Sequence, residues 1–198
     1  FQGAATVIST RLLAGLAGAL GMGTAGWLLL RDTTTDSDAT GEDVGRIEGP
    51  PGATLGARAV EVLNRLVGVR GQGKKGTPGY HRSDVIDRIN LGLSGDGKSL
   101  IGKPWCARAV RYAYEVAAQE LGLPPPFAAI KGTLAMASSW KDRPFSEFKL
   151  STPKAGAALV IKTEDGYHVA LIAQMLDGRR AMTVEGNHGD KVANVRRT

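Results

Sequence analysis

Cysteine is almost absent: Cys106 is the only one in 198 residues. A single thiol excludes an internal disulfide framework and a zinc site built mainly on thiolates. Histidine is scarce too. His81, His168 and His188 are the whole supply, and they leave only a mixed-ligand metal site formally open. Dense basic runs are missing: the adjacent basic pairs are Lys74-Lys75, Arg179-Arg180 and Arg196-Arg197, and no DNA- or RNA-binding motif accompanies them. The Gly-rich stretch from Gly71 to Gly79 lacks the GxxxxGK[ST] spacing of a phosphate cradle, so it reads as a surface turn.

What is present is an ordinary globular composition, 42% hydrophobic and 22% charged, too apolar for wholesale disorder. Glycine, with 27 residues, stands at about twice its usual share. Charge is uneven. Residues 1–52 carry three arginines against six acidic side chains, a net of −3. Residues 53–198 hold the other 22 basic and 13 acidic groups, a net of +9. A basic body of this kind prefers polyanionic surroundings: nucleic acid, an anionic membrane or an anionic cell wall.

Three parts follow in order. Residues 12–30 form an uncharged, apolar run between Arg11 and Arg31, about 28 Å long as a helix and close to a bilayer core. Its glycines would weaken a helix in water but let helices approach closely in a membrane, and Trp27 suits an interface. Residues 1–31 are therefore expected to be an apolar, membrane-spanning or membrane-active helix. The alternative is a segment packed against protein partners in an oligomer. Residues 32–54, rich in Asp, Thr, Gly and Pro, read as a flexible linker. Residues 55–198 read as the domain.

Within the domain the pattern is helices first and strands afterwards, an α+β class. A helical stripe runs from Leu55 to Val69, and a short helix from Ser83 to Leu91. A longer helix opens after Pro104-Trp105 at Cys106 and stops at Gly122 and Pro124-Pro125-Pro126. Val110, Ala113, Ala117 and Leu121 form its apolar stripe, and Arg108, Arg111, Glu115 and Gln119 its polar face. Ala157–Ile161, His168–Ala173 and Ala181–Glu185 read as strands of an antiparallel meander, with turns at Gly166 and Asp177-Gly178.

Cys106 thus falls in the first turn of a helix, where unpaired N–H groups and the helix dipole favour a thiolate. Free cysteine is also a common small core residue, and position alone leaves both readings open. His168 opens one strand and Glu185 closes the next, which puts both at one end of a hairpin. A thiol nucleophile needs a base, and the base needs an acceptor on its other nitrogen. Glu185 and Asn187 are both placed to supply it.

At these residues the chain resembles a known family. Gly102-Lys103-Pro104-Trp105-Cys106-Ala107 looks like the nucleophile motif of CHAP domains, the cysteine- and histidine-dependent amidohydrolases/peptidases that cut peptidoglycan. Gly166-Tyr167-His168-Val169-Ala170 resembles the family's His strand, and Glu185-Gly186-Asn187 its Glu-x-Asn element. His168 lies 62 residues after Cys106, and Glu185 and Asn187 lie 17 and 19 residues after His168, which also fits. The resemblance covers residues 55–198. It departs from the family before the first strand, where Pro153-Lys154-Ala155-Gly156-Ala157 replaces the usual Pro-Gly-Asp. Val192 to Arg197 reads either as the family's further strand or as a domain cut short.

The resemblance implies a papain-like fold and a peptidoglycan hydrolase, either an N-acetylmuramoyl-L-alanine amidase or a stem or cross-bridge endopeptidase. Cys106 would be the nucleophile, His168 the base, and Glu185 the orienter, with Asn187 in support and the Cys106 backbone N–H in the oxyanion hole. Trp105 and Tyr167 would be cleft walls against substrate or, equally, core anchors. His188 is expected at the rim and His81 in solvent. No cofactor, no metal and no nucleic acid are expected. The partners are peptidoglycan and, through residues 12–30, a membrane or phage tail proteins. The setting is a phage virion tail or a bacterial envelope. Competing classes are a basic nucleic-acid-binding module, a structural or membrane-delivery tail protein with a vestigial hydrolase, and a papain-like Cys-His acyl transferase.

Overall fold

The computed structural model describes residues 27–29, 54–128, 130, 134–141, 150 and 152–198. Three helices precede an antiparallel sheet, so the α+β expectation holds. Helix α1 (Leu55–Asn64) is capped by Thr54, whose hydroxyl accepts the Ala57 N–H at 3.2 Å. Helix α2 (Asp84–Leu91) is capped in the same way by Ser83, with Asp84 and Asp87 in its first turn. Helix α3 (Cys106–Glu120) has no side-chain cap.

Helix α1 ends five residues sooner than the stripe to Val69 suggests. The Leu66 and Val67 N–H groups fall back on Leu63 and Asn64, three residues behind, which tightens the last turn. The chain is then drawn onto the sheet, where Gly68 N–H donates to the Val192 carbonyl and Val192 N–H to the Val69 carbonyl.

The sheet order follows the chain order. Strands β2 (Ala158–Thr163), β3 (Gly166–Met175), β4 (Ala181–His188) and β5 (Lys191–Arg197) form an antiparallel meander. The stretch from Val192 to Arg197 is thus a further strand. Strand β1 (Trp27–Leu29) lies parallel to β2, with Trp27 opposite Ala158 and Leu29 opposite Val160. This corrects the expectation of one helix across residues 12–30. A short apolar run is compatible with either helix or strand by pattern alone. Here the backbone of the β2 edge offers partners that a strand can satisfy and a helix cannot. Residues 12–26, and residues 32–53 of the linker, lie outside the described residues. Among the described residues no helix is long and apolar enough to cross a membrane.

The main core lies between the helices and one face of the sheet. It is built on Val60, Leu63, Trp105, Val110, Tyr114, Trp140, Val169, Leu171 and Val184. Phe127 stands edge-on to Tyr114 and Trp140, with ring centroids 6.0 and 5.6 Å away. Truncating a fully buried side chain such as Leu63 to Ala costs about 2–5 kcal/mol at a site of this kind. Alternate residues, Ala157, Leu159, Ala170, Ile172 and Ala181, form a smaller cluster on the opposite face.

Of the polar face of α3 only Gln119 is turned to water. Arg108, Arg111 and Glu115 are buried. Asp96, in the loop after α2, reaches Arg108 at 3.0 Å and Arg111 at 2.8 Å, and Arg111 Nε donates to Glu115 at 2.6 Å. Opposite charges at these distances let the loop lie on the helix without stranding a charge.

Candidate active site

Cys106 opens α3 directly after Trp105, and its side chain is buried with 8% of the residue exposed. The helix comes close to the sheet because β4 carries Gly186 at the contact. A Cβ there would lie 2.3 Å from the Ala109 Cβ and 2.8 Å from the Trp105 ring, so only glycine admits the first turn of α3 at this distance. The Glu-Gly-Asn sequence therefore has a packing reason beside its polar residues.

The sulfur meets three groups. His168, from the start of β3, hydrogen-bonds it through the side chain, and the backbone N–H groups of Val169 and Ala107 also donate to it. Burial pushes the thiol up. The hydrogen bond and charge of His168, with the two backbone donors, outweigh burial and hold it below the ordinary thiol value.

The other side of the imidazole faces Glu185. Continuing the Leu171–Val184 register by one residue sets Ala170 opposite Glu185, which places His168 diagonally across on the same face. His168 Nε2 lies 2.8 Å from Glu185 Oε2, a contact that is short but off the line of an ideal N–H···O bond. The second ring nitrogen, Nδ1, is left for the sulfur. Burial alone would depress His168. The Glu185 charge, followed by hydrogen bonds to Cys106 and Glu185, raises it well above the usual imidazole range. The pair is thus biased toward thiolate and imidazolium.

Glu185 is fully buried and is itself held. Arg197 grips both oxygens, with Nε to Oε1 at 2.8 Å and Nη2 to Oε2 at 2.6 Å, and Thr183 Oγ1 donates to Oε1. Burial pushes this carboxyl up, but His168 and Arg197 together pull it far below the usual carboxylate range. Arg197 and Thr183 carry no local motif and were missed in the sequence. Their one signal is parity, since Thr183 precedes Glu185 by two residues and shares its face.

Asn187 is not the acceptor for His168. It sits at φ +62° in the irregular pairing between β4 and β5, and its Oδ1 is buried without a hydrogen-bond partner. His188, expected at the rim, is half-buried, with Nδ1 3.8 Å from Glu185 Oε2. Trp105 takes one of its two open readings, and His81 departs from its expectation. Trp105 is wholly buried, with its indole N–H on Asp190 at 3.3 Å, so it anchors the core and lines no cleft. His81 is not solvated: it is buried, and its Nδ1 donates to Asp190 Oδ1 at 2.7 Å. A loop position made solvent the default for His81, but Asp190, far away in sequence, supplies a buried partner. Tyr167 is half-buried against the core, and the Lys141 ammonium stands 4.9 Å from its ring centroid.

Among the described residues no group of three or more His, Cys, Asp or Glu is placed to hold a metal ion. Comparison with protein-family models, with curated proteins and with solved structures gives no match.

Proposed function

We propose that the chain is a peptidoglycan hydrolase of the CHAP type, with a papain-like arrangement of a nucleophile-bearing helix against a base-bearing sheet. The observation that carries this reading is the buried relay from Cys106 through His168 to Glu185, with Arg197 behind it. A thiol held below its ordinary pKa beside an imidazole held above its own is costly to bury and has direct use in acyl transfer.

In the proposed reaction the Cys106 thiolate attacks an amide carbonyl of the wall. The oxyanion that forms is met by the Cys106 backbone N–H, one of the donors that a helix start leaves without an intrahelical acceptor. The His168 imidazolium gives its proton to the departing amine, and the carbon–nitrogen bond breaks to leave a thioester on Cys106. His168, now neutral, takes a proton from water. The water attacks the thioester, the acid is released, and the thiol and imidazole return to the ion-paired state. Glu185 keeps Nε2 protonated and the ring in plane with the sulfur, and Arg197 and Thr183 keep Glu185 from turning. Tyr167 and Lys141 form a rim that suits an acidic stem peptide.

The basic body suits an anionic wall, and delivery from a virion tail or from a bacterial envelope fits a hydrolase joined to an apolar segment. The test is digestion of purified cell walls followed by mass spectrometry of the muropeptides. New amine and carboxyl termini identify the bond, amidase or endopeptidase. Walls left intact by the wild-type protein, or cut equally by Cys106→Ala, overturn the proposal.

A further inference from the structure

We propose that His81 and Asp190 are positioning residues for Cys106, acting through the indole of Trp105; this rests on the reading of Cys106 as the nucleophile. Asp190 occupies the turn between β4 and β5, buried and at φ +61°. Its carboxylate receives three N–H groups: His81 Nδ1 at 2.7 Å, the His81 backbone N–H at 3.2 Å and Trp105 Nε1 at 3.3 Å. A buried carboxylate is tolerated only with such donors around it.

The loop that brings His81 there is fastened to the same turn. Gly71 N–H donates to the Asp190 carbonyl at 2.9 Å, and a Cβ on Gly71 would lie on top of Asp190 Oδ2. His81 is held at φ +59°, a conformation that residues other than glycine rarely adopt, and its ring lies 3.8 Å from that of Tyr80.

Trp105 joins this cluster to the chemistry. Its six-membered ring packs against Gly186, the neighbour of Glu185, while its N–H reaches Asp190 in the turn of the same hairpin. Its carbonyl accepts the Ala109 N–H at 2.8 Å, which starts α3. The indole therefore braces the turn end of the β4–β5 hairpin, and the next residue along the chain is the nucleophile. One hairpin fixes both the Glu185 end of the relay and the direction in which Cys106 leaves the sheet. His81, 109 residues away from Asp190 in sequence, holds the carboxylate that keeps the indole in place.

Alkylation of Cys106 by iodoacetamide, followed from acid to alkaline pH, tests this without any wall substrate. Trp105→Phe keeps the ring and removes the N–H; His81→Ala removes the donor on the other side. Each is expected to move the thiolate midpoint upward. Alkylation on the acid side then falls roughly five- to tenfold, while the alkaline plateau stays at the wild-type rate. His81→Gln, which restores an N–H donor, is expected to recover most of the difference. Tyr114→Phe loses a buried bond to the Gly156 carbonyl outside this cluster and serves as the control for simple destabilisation. The two test variants act on one carboxylate from different sides, so either decides the matter if the other does not fold. Profiles that superimpose on the wild type, or a Tyr114→Phe profile shifted as far as theirs, overturn the proposal. An ordinary midpoint in the wild-type protein overturns the catalytic reading itself. Failure of wall digestion with a depressed midpoint overturns only the choice of substrate.

Discussion

Replacing Glu185 by Gln isolates the charge behind the imidazole. Four donors converge on two oxygens in the native site: Thr183 and Arg197 Nε on Oε1, His168 and Arg197 Nη2 on Oε2. An amide of the same shape has one oxygen and one NH2 group. Whichever way it is turned, two donors then face a donor. Each lost bond to a charged group is worth about 1.5–3 kcal/mol, and the Thr183 hydroxyl recovers part by turning to accept. We expect a net loss of about 3 kcal/mol in urea unfolding.

The chemical effect of Glu185→Gln runs alongside. Without the carboxylate His168 loses its main source of elevation, the imidazolium no longer persists at neutral pH, and the thiolate loses its partner. Wall turbidity clearing should slow by about 10²-fold, within the range for a perturbed general acid–base, and less than for His168→Ala, which removes the proton carrier altogether. A Glu185→Gln protein with wild-type clearing and a loss below about 1 kcal/mol would refute the relay, because native-like behaviour would mean the four donors do not depend on the charge.

Cys106→Ala should unfold within about 1 kcal/mol of wild type in the same urea assay, since little volume is lost, and should clear no walls. The pH profile of kcat/KM should be a broad bell. Its acid limb falls below the usual thiol range, where Cys106 protonates, and its alkaline limb lies above the usual imidazole range, where His168 loses its proton; a bell centred on an unperturbed histidine would contradict the pairing. Because the Glu185 carboxyl titrates lower when folded than when unfolded, its contribution to stability is full above the unfolded carboxylate value of about 4.3 and is lost as pH falls toward the folded value. Arg197→Met, which removes one of the two cations that hold the carboxyl down, should therefore lower the melting temperature near neutral pH and flatten its further loss on acidification. Gly186→Ala should lower thermal stability and clearing together, because its methyl must push α3 off β4; an unaffected variant would show that the close approach is dispensable.

The sequence made the core of the site legible because its chemistry sits beside structural punctuation. Cys106 follows a Pro-Trp helix start, His168 follows the Gly166 turn, and Glu185 precedes a glycine required by packing. The hairpin then put His168 and Glu185 at one end of the sheet. Arg197 escaped because it reaches Glu185 along a neighbouring strand, past the Thr183–Val195 pair, and no local pattern announces a long side chain reaching back. Asp190 and His81 escaped for a stronger reason: each looks like a loop residue, and their pairing across the fold exists only once the Gly71 loop is folded onto the β4–β5 turn. Trp27–Leu29 was misread because an apolar triplet takes whichever backbone partners the fold offers, and the β2 edge offers a strand's.

The two rims of the sheet differ in kind. At one, β1 lies against β2. At the other, β5 carries Lys191 at its start and Arg196 and Arg197 at its end. The start of that edge is already taken, because Gly68 and Val69 exchange backbone hydrogen bonds with Val192 and Arg70 bridges Lys191, and Arg197 is committed to Glu185. Only the stretch toward Arg196 is left for a second molecule, and that exposed arginine acts as a gatekeeper against fibre growth. Its protection is electrostatic and fades as salt shortens the screening length, so a concentrated stock should be most prone to sheet-to-sheet association in high-salt buffer.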